Sequence, residues 1–301
     1  MTFKIGIDGG GTKTECILVD APGAIVARHL APGCNPNVVG PEQARRIVTA
    51  ALAALLSESK IENPKSKISH TQLFMSGLPG FWSEFAASLT DFGRVTAGPD
   101  SLPTLELATH GRPGLVLHAG TGSFVAARAP DGTVHYAGGT GWRFGDPGSG
   151  YELGRRAISR ALLELQGWLP ASRLGPTVRD HTQLGDTADA RAITRYFYSH
   201  TEPNRVIAAL APAILRLAAE GDHTAHQVLV ESATELLDLA ARVVAKLFPG
   251  TPLATIPTGL SGALLTNSIV AAALAPHTPL VLTPITEAPI EGVRLLLLRE
   301  G

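Results

Sequence analysis

Two glycine-rich turns carry the residue types that bind a polyphosphate. Residues 8–14 read Asp-Gly-Gly-Gly-Thr-Lys-Thr, and residues 118–123 read His-Ala-Gly-Thr-Gly-Ser. Glycine lets successive backbone amides approach an anion closely, and the threonine and serine hydroxyls add further donors. Asp8, at the end of the strand before the first turn, can hold a divalent cation. The pattern predicts an anion bound from two sides, most simply a polyphosphate.

The two turns stand in the same setting, which indicates a duplication. Each follows an apolar strand, precedes a second strand and leads to a hairpin turn, which contains Gly23 in one case and Gly132 in the other. Thr12 precedes Gly23 by the same interval that separates Thr121 from Gly132. The first turn is not a P-loop, because Thr12 precedes Lys13 and a strand follows where a helix is required. The dinucleotide-binding fold is disfavoured for the same reason.

Composition excludes several classes of protein. The chain has 301 residues and a formal net charge of −1, without a basic stripe, so a nucleic-acid partner is not expected. No apolar run is long enough to span a membrane, and Asp8 stands where a signal peptide needs apolar residues. The cysteines, Cys16 and Cys34, cannot build a disulfide framework or a thiolate zinc site. We therefore expect a cytoplasmic protein.

The hydrophobic pattern predicts an α/β chain of two domains, residues 1–112 and 113–301, with the last helix able to cross back to the first domain. Buried strands are expected directly before Asp8, Ser76, Asp100, Gly120 and Gly259, the last of them at residues 253–256. Because ligands bind at the carboxyl ends of strands in open α/β sheets, these positions predict one cleft between the domains. The expected helices span residues 41–57, 82–92, 151–168, 189–220 with a break at Pro212, 223–248 and 289–298.

The order of these turns resembles the fold shared by actin, heat-shock chaperones and sugar kinases, which has two duplicated ribonuclease H-like ATPase domains and an interdomain cleft. Within this fold, residues 8–14, residues 120–123 and the Gly-Asp-Pro-Gly-Ser-Gly segment at 145–150 are similar to the BadF/BadG/BcrA/BcrD ATPase family. The best understood members of that family are N-acetylglucosamine kinases. The late Gly-Leu-Ser-Gly turn at 259–262 departs from the paired glycines usual there.

The resemblance implies ATP and Mg²⁺ in the cleft, with Asp8 near the metal. It makes Asp100 the catalytic carboxylate, which takes the proton from a sugar hydroxyl as the γ-phosphoryl group moves. An aspartate before a helix is also an ordinary N-cap, and that alternative stays open. The nucleotide-binding residues implied by the family are Asp8, Gly10, Gly11, Thr12, Lys13, Gly120, Thr121, Gly122, Ser123, Gly259 and Gly262.

The family also implies a sugar site. Asn35 falls where the kinases have a sugar-binding asparagine, although an ordinary Asn-Pro turn explains it as well. Asp146 is expected to bind sugar hydroxyls, or else to form an Asx-type turn. Trp142 could face a sugar ring or belong to the core. The substrate-binding residues expected are Asn35, Ser76, Gly77, Gly139 and Asp146, which makes the first domain mainly the sugar side and the second the nucleotide side.

Three functions compete at this stage. The first is an amino-sugar kinase acting on N-acetylglucosamine, with the 6-hydroxyl as acceptor, or on glucosamine. The second is a BadF-type ATPase activator, which needs cluster cysteines in the second half of the chain, whereas both cysteines here precede residue 35. The third is a sensor without catalysis. The apolar helices after Tyr151 would suit a homodimer or simply a core, and His118 has no role beyond that of a satisfied polar residue.

Overall fold

The computed structural model describes residues 2–299, except for the side chains of Pro64 and Ser66, and the chain divides into two units. The first unit comprises the residues up to His110 and those from Glu287 onward, and the second is Gly111–Thr286. Each unit contains a mixed five-stranded sheet with helices, so the predicted α/β class is confirmed. The cleft expected between the units stays a prediction.

The two sheets have the same topology. In the first unit the order is β3-β2-β1-β4-β5, with β1 to β3 antiparallel and β4 and β5 parallel to β1. In the second unit β8-β7-β6-β9-β10 repeats this order and these directions. The strands are β1 (Phe3–Gly9), β2 (Lys13–Asp20), β3 (Ile25–Pro32), β4 (Ile68–Met75), β5 (Arg94–Pro99), β6 (Gly114–Ala119), β7 (Ser123–Arg128), β8 (Val134–Gly138), β9 (Thr258–Ser261) and β10 (Leu282–Pro284).

Helices connect and cover the strands. Those of the first unit are α1 (Pro36–Val39), α2 (Pro41–Glu58), α3 (Pro79–Ser88), α4 (Ser101–Thr109) and α13 (Pro289–Arg299). Those of the second are α5 (Gly150–Leu165), α6 (Leu174–Thr182), α7 (Ala190–Ser199), α8 (Pro203–Ala208), α9 (Ala211–Ala219), α10 (His223–Leu247), α11 (Gly262–Leu265) and α12 (Ser268–Leu274). Short 3₁₀ turns lie at Pro64–Lys67, Leu253–Thr255 and Ala275–His277. No helix among residues 2–299 is both long and apolar enough to cross a membrane.

The sheet of the first unit is buried on both faces. The apolar residues of α2 recur at helical spacing, and Val48, Leu52 and Leu55 are buried in the core on one face. On the other face α13 packs against β1 and α4. A Cβ on Gly6 of β1 would overlap the Val293 side chain of α13, so glycine allows this close approach. Helix α13 therefore packs against β1, the strand that contains Asp8, and against α4, the helix that begins directly after Asp100.

The structure corrects the expected strand at residues 253–256. That segment is a 3₁₀ turn between Pro252 and Pro257, and its Leu253 side chain is 37% exposed. The strand comes later, as β9, and all its residues are buried although most are small. Gly259 therefore lies inside a strand and not in the turn that follows one. The reason is that β9 pairs with β6 on one side and β10 on the other, so neighbours and not local hydrophobicity define it.

Three helical expectations also change. The stretch 189–220 breaks twice, because Pro203 and Pro212 each occupy the first turn of a new helix, α8 and α9. Helix α6 was not expected at all, since its sequence has few apolar residues. Helix α3 begins at Pro79 and ends at Ser88, earlier at both ends than the predicted range 82–92.

Candidate active site

Three strand ends of the first unit place polar side chains at one edge of its sheet. β1, β4 and β5 are parallel, and Gly9 pairs with Met75, which in turn pairs with Pro99. Asp8 precedes the first of these residues, whereas Ser76 and Asp100 follow the other two. The structure therefore brings these predicted site residues to one place within the first unit.

The carboxyl groups of Asp8 and Asp100 interact. Burial, followed by the charge of Asp100, raises the pKa of Asp8 to about 7. Lys13 opposes this shift and Glu15 adds a smaller rise. Burial also raises the pKa of Asp100, and the nearby amides of Asp100 and Ser101 oppose this shift. Two desolvated carboxylates side by side favour uptake of a proton or a cation. This pair can supply both a general base and a metal ligand.

Asp100 does not behave as an ordinary N-cap. It stands directly before α4, but its backbone is already helical, with φ −62° and ψ −13°, and its side chain makes no capping hydrogen bond. The Ser101 hydroxyl beside it is buried, and nothing in residues 2–299 accepts or donates a hydrogen bond to it. Ser101 was not among the predicted site residues, although a serine directly after the carboxylate and at the start of the helix was the signal available.

Asn35 and Gly77, two of the expected sugar-binding residues, lie in contact. The Asn35 Oδ1 accepts a hydrogen bond from the Asn37 amide at 2.9 Å, so the Asn-Pro turn is present and caps α1. A Cβ on Gly77 would lie 2.6 Å from the same Oδ1, and Gly77 has φ +97°. The turn uses the oxygen of the Asn35 amide, and its nitrogen makes no hydrogen bond within residues 2–299. The Ser76 hydroxyl is also buried without a hydrogen-bond partner in the described chain.

Hydrogen bonds and the close packing of Gly33 hold the first glycine turn in place. The Gly10 amide donates to the Lys13 carbonyl at 2.9 Å, and the Cys34 amide donates to the Gly10 carbonyl at 3.0 Å. A Cβ on Gly33 would overlap the carbonyl of Gly11, so Gly33 must be a glycine for this packing. The Gly10 amide thus donates inside the turn, and the contact of Gly10 with nucleotide stays a prediction.

The remaining donors of this turn are those of Gly11 and Thr12. In the described residues neither amide donates a backbone hydrogen bond within the turn, and a Cβ on Gly11 would meet no atom within 4 Å. The Lys13 ammonium forms an ion pair with Glu15 at 2.9 Å and is half exposed. Lys13 was expected to bind nucleotide, and it would have to exchange this carboxylate for a phosphate.

The second glycine turn is closed in a similar way. The Gly120 amide donates to the Gly122 carbonyl at 2.9 Å, and the Gly120 carbonyl accepts from the Gly150 amide at 2.7 Å. The Ser123 hydroxyl, in a side chain that is almost fully buried, donates to the Pro147 carbonyl at 2.6 Å. The Gly120 amide and the Ser123 hydroxyl, both expected to face phosphate, therefore hold the turn together. Thr121 and Gly122 keep donors that the turn does not use.

Two predicted substrate-binding residues, Asp146 and Gly139, lie next to the second glycine turn. A Cβ on Gly122 would lie 2.9 Å from the Asp146 Oδ2. Burial raises the pKa of Asp146, and the amides of Gly141 and Ser123 oppose that rise. The Gly139 amide donates to the Ser123 carbonyl at 3.0 Å. Asp146 thus braces the glycine turn by contacts across the loop and not by a local Asx turn.

A cavity of about 800 Å³ opens beside these residues, entirely within the second unit. Trp142 and Tyr151 line it with ring centroids 5.2 Å apart, and the Arg143 guanidinium lies 4.8 Å from the Trp142 ring centre. Asp146 is also part of the wall. Aromatic faces next to a carboxylate suit a sugar ring, whose faces are apolar and whose hydroxyls donate hydrogen bonds. The sequence predicted Tyr151 only as the start of a helix, without a role in the site.

Of the two late glycines, Gly262 lies in the turn after β9 and Gly259 lies inside the strand. Gly262 follows β9 with φ +83° and starts α11, and a Cβ there would overlap the Ala119 carbonyl of β6. Gly259 pairs with Val116 and Thr283 inside the sheet. The contact of Gly259 with nucleotide stays a prediction, and its backbone pairs with both neighbouring strands.

The residue predicted to bind a magnesium ion lies in the first unit. Residues 2–299 contain no cluster of three or more histidine, cysteine, aspartate or glutamate side chains arranged as a metal site. Mg²⁺ in phosphoryl-transfer sites needs fewer protein ligands, commonly one or two carboxylates together with water and phosphate oxygens. Asp8, a partly buried carboxylate whose pKa is raised by burial and then by Asp100, is of the residue type that such a site uses.

The fold is shared with solved structures of two-domain proteins. It aligns with a ROK family glucokinase from Streptomyces griseus, solved with glucose and AMPPNP, with a TM-score of 0.58 at 13% identity over 99% of this chain and all of the other. At this identity the likeness concerns the fold alone. The model of the BadF/BadG/BcrA/BcrD ATPase family matches residues 5–277, and the chain belongs to that family.

More similar proteins carry names from amino-sugar metabolism. The chain is 28% identical to an N-acetyl-D-glucosamine kinase of Dictyostelium discoideum, over 81% of this chain and 79% of that protein. It is 25% identical to an N-acetylmuramic acid/N-acetylglucosamine kinase of Clostridium acetobutylicum, over 78% and 77%. A solved structure of a proposed N-acetylglucosamine kinase from Chromobacterium violaceum aligns with a TM-score of 0.78 at 27% identity, over 99% of both chains.

Proposed function

We propose that this protein is an ATP-dependent amino-sugar kinase that phosphorylates N-acetylglucosamine at its 6-hydroxyl. The observation that carries the proposal is the interacting pair Asp8 and Asp100, at the strand edge next to a glycine turn with unused amides. The family and its amino-sugar kinase members support the same activity.

In this proposal Asp100 is the general base. The sugar hydroxyl oxygen bonds to the γ-phosphorus of ATP, the bond from that phosphorus to the β–γ bridging oxygen breaks, and ADP leaves. The hydroxyl proton passes to the Asp100 carboxylate. A pKa raised by burial makes this carboxylate a stronger base than an exposed aspartate, which matches the task.

Each unit has donors for the phosphates. The amides of Gly11 and Thr12 serve in the first unit, and those of Thr121 and Gly122 in the second, because their neighbours are used within the turns. Asp8 would hold Mg²⁺, and the bound ion would supply charge that neutralises the phosphate oxygens. The first unit thus carries the base and the metal ligand, and the second holds mainly the nucleotide.

The sugar is assigned to two sets of residues. Asn35, Ser76 and Gly77 lie in the first unit, which also contains the proposed base. There the Asn35 side-chain nitrogen and the Ser76 hydroxyl can donate hydrogen bonds to the sugar. Gly139 and Asp146 stand in the second unit beside the cavity with the Trp142 ring. N-acetylglucosamine is preferred over glucosamine here because the curated relatives are named for the acetylated sugar.

The activator alternative fits the chain poorly. Cys16 and Cys34 are both fully buried, and burial raises the pKa of each thiol, that of Cys34 to about 11. Thiolates that hold an iron–sulfur cluster need the opposite environment. A sensor would need no base, so the buried Asp100 beside Asp8 favours catalysis over that alternative as well.

The test is ADP release from Mg·ATP in the presence of N-acetylglucosamine, glucosamine, N-acetylmannosamine, glucose or no sugar. We expect N-acetylglucosamine to give the greatest stimulation. Stimulation by glucosamine alone would keep the kinase and change its substrate. ATP turnover that no sugar changes would overturn the proposal in favour of an activator or a sensor.

A further inference from the structure

His118 occupies, in the second unit, the position that Asp8 occupies in the first. Each residue lies one position before the last residue of the central strand, β6 or β1, and the glycine that follows that strand, Gly120 or Gly10, donates its amide across the turn. The cross-strand partner of Asp8 is Glu15, whereas that of His118 is Phe124. The second unit therefore replaces a carboxylate by an imidazole at the start of its glycine turn.

The His118 ring connects the two turns of the second unit. Its Nδ1 lies 2.8 Å from the Ser261 hydroxyl, on the neighbouring strand β9 directly before Gly262. A Cβ on Gly262 would lie 3.0 Å from the ring carbon Cε1, and one on Gly120 would lie 3.7 Å from Nε2. The imidazole thus contacts the residue directly before the late turn, and it lies two residues before Gly120 of the second glycine turn.

Stacking fixes the plane of the ring. Phe124 lies parallel to His118, with centroids 4.8 Å apart and planes at 13°, and Tyr136 stacks on the far face of Phe124 at 4.8 Å. Burial lowers the pKa of His118 to about 4, so the ring is neutral at the pH of any kinase assay. A second carboxylate at this place would repel the polyphosphate, whereas a neutral ring does not.

We propose that His118 is a positioning residue for the nucleotide. Together with Ser261 it ties the second glycine turn to the late turn and so fixes the amides that hold the phosphates. This inference rests on the proposed function, because it takes the second turn as a nucleotide contact. The hydroxyl–imidazole pair acts on the nucleotide through the backbone and has no part in sugar binding.

The experiment compares single variants that keep different parts of the ring. His118→Phe keeps the stacking and loses the hydrogen bond, His118→Asn keeps a polar group near Nδ1, and Ser261→Ala removes the partner. We expect His118→Phe and Ser261→Ala to raise the KM for ATP about 3- to 10-fold, the weight of one buried hydrogen bond. The KM for N-acetylglucosamine should stay unchanged, and His118→Asn should recover most of the ATP affinity.

His70 provides a matched control. It is a buried histidine in the sheet of the first unit, and its Nε2 lies 3.2 Å from the Thr96 hydroxyl on the next strand. His70→Phe should therefore cost stability, measured as Tm, without changing the KM for ATP. A general loss of stability would raise both KM values or lower the active fraction in every variant.

Failure of the inference and failure of the proposed function have different signatures. An active wild-type kinase whose His118→Phe and Ser261→Ala variants keep the KM for ATP would overturn the positioning role alone. If the wild type transfers no phosphoryl group, calorimetric titration with Mg·ATP still decides the role, since the same variants should bind more weakly. Equal ATP binding by wild type and variants would contradict it there too.

Discussion

The two glycine turns share a topology and differ in the charge placed beside them. The first has Asp8 at its base, with Asp100 and Glu15 adding negative charge. The second has His118, which burial keeps neutral, stacked on Phe124. The two turns thus have similar backbones, and the side chain before each turn gives them different charges.

This difference explains a division of labour. Desolvated carboxylates repel a bare polyphosphate unless a cation or a proton is present, so the proposal places the chemistry at the first turn. A neutral turn can approach phosphate oxygens without that cost, so it suits binding. Substitutions at either turn test this contrast.

Replacement of the base should have the largest effect. Asp100→Asn removes the proton acceptor and keeps the size of the side chain, so kcat should fall about 10²- to 10⁴-fold. The Kd for Mg·ATP should change little, because the amides of both turns remain. Steady-state kinetics and calorimetry measure the two quantities, and retention of normal turnover would remove Asp100 from the mechanism.

Replacement of the metal ligand comes next. Asp8→Asn should weaken Mg·ATP binding and turnover about 10- to 100-fold, the weight of a charge-assisted contact. The dependence of the rate on Mg²⁺ concentration should shift to higher values. The matched change in the second turn, His118→Phe, should leave the Mg²⁺ dependence as it is. The same shift in both variants would contradict the contrast.

A structural change can affect one turn alone. Gly33→Ala would push a Cβ into the Gly11 carbonyl, so the turn must move, at a cost of about 1–3 kcal/mol in the free energy of unfolding. Gly80→Ala is the control, because a Cβ there meets nothing within 4 Å. Only Gly33→Ala should lose stability to denaturant and raise the KM for ATP, since alanine in the helix at position 80 does not destabilise the fold. Equal values in the two variants would refute the bracing role.

The smallest expected effect is on stability as a function of pH. The folded pKa of Asp8 is about 7, above the ordinary value of 3.8, so the folded protein holds this proton more tightly than the unfolded chain. The contribution is complete below the unfolded pKa and is lost as pH rises through about 7. Without Mg²⁺, Tm should therefore fall between pH 5 and pH 8, and less so in Asp8→Asn. An equal fall in both proteins would place the titrating group elsewhere.

Local sequence signals predicted much of the fold. The strand–turn–strand pattern around Asp8 and around Gly120 identified the duplication, because hairpins and glycine turns are encoded by neighbouring residues. The strand β9 was misplaced since its small residues become a strand only through pairing with β6 and β10. The second proline break, at Pro203, was missed in a stretch that otherwise reads as helical.

The candidate site, too, could be predicted only in part from the sequence. Glycine turns and acidic residues after strands could be located from residue types, but the partners of each amide could not. That the Gly10 and Gly120 amides and the Ser123 hydroxyl are used within the turns depends on contacts with Lys13, Gly122 and Pro147. The contact of His118 with Ser261 joins residues far apart in the chain. The homodimer and the cytoplasmic location stay predictions.

The most direct test of the central claim is detection of the transferred phosphoryl group. Wild-type protein is incubated with Mg·ATP and N-acetylglucosamine, and phosphorus NMR follows the products, with Asp100→Asn in parallel. We predict a phosphomonoester on the 6-oxygen of the sugar in step with ADP, and almost none with the variant. Inorganic phosphate in place of the sugar ester, or equal ester formation by both proteins, would contradict the account.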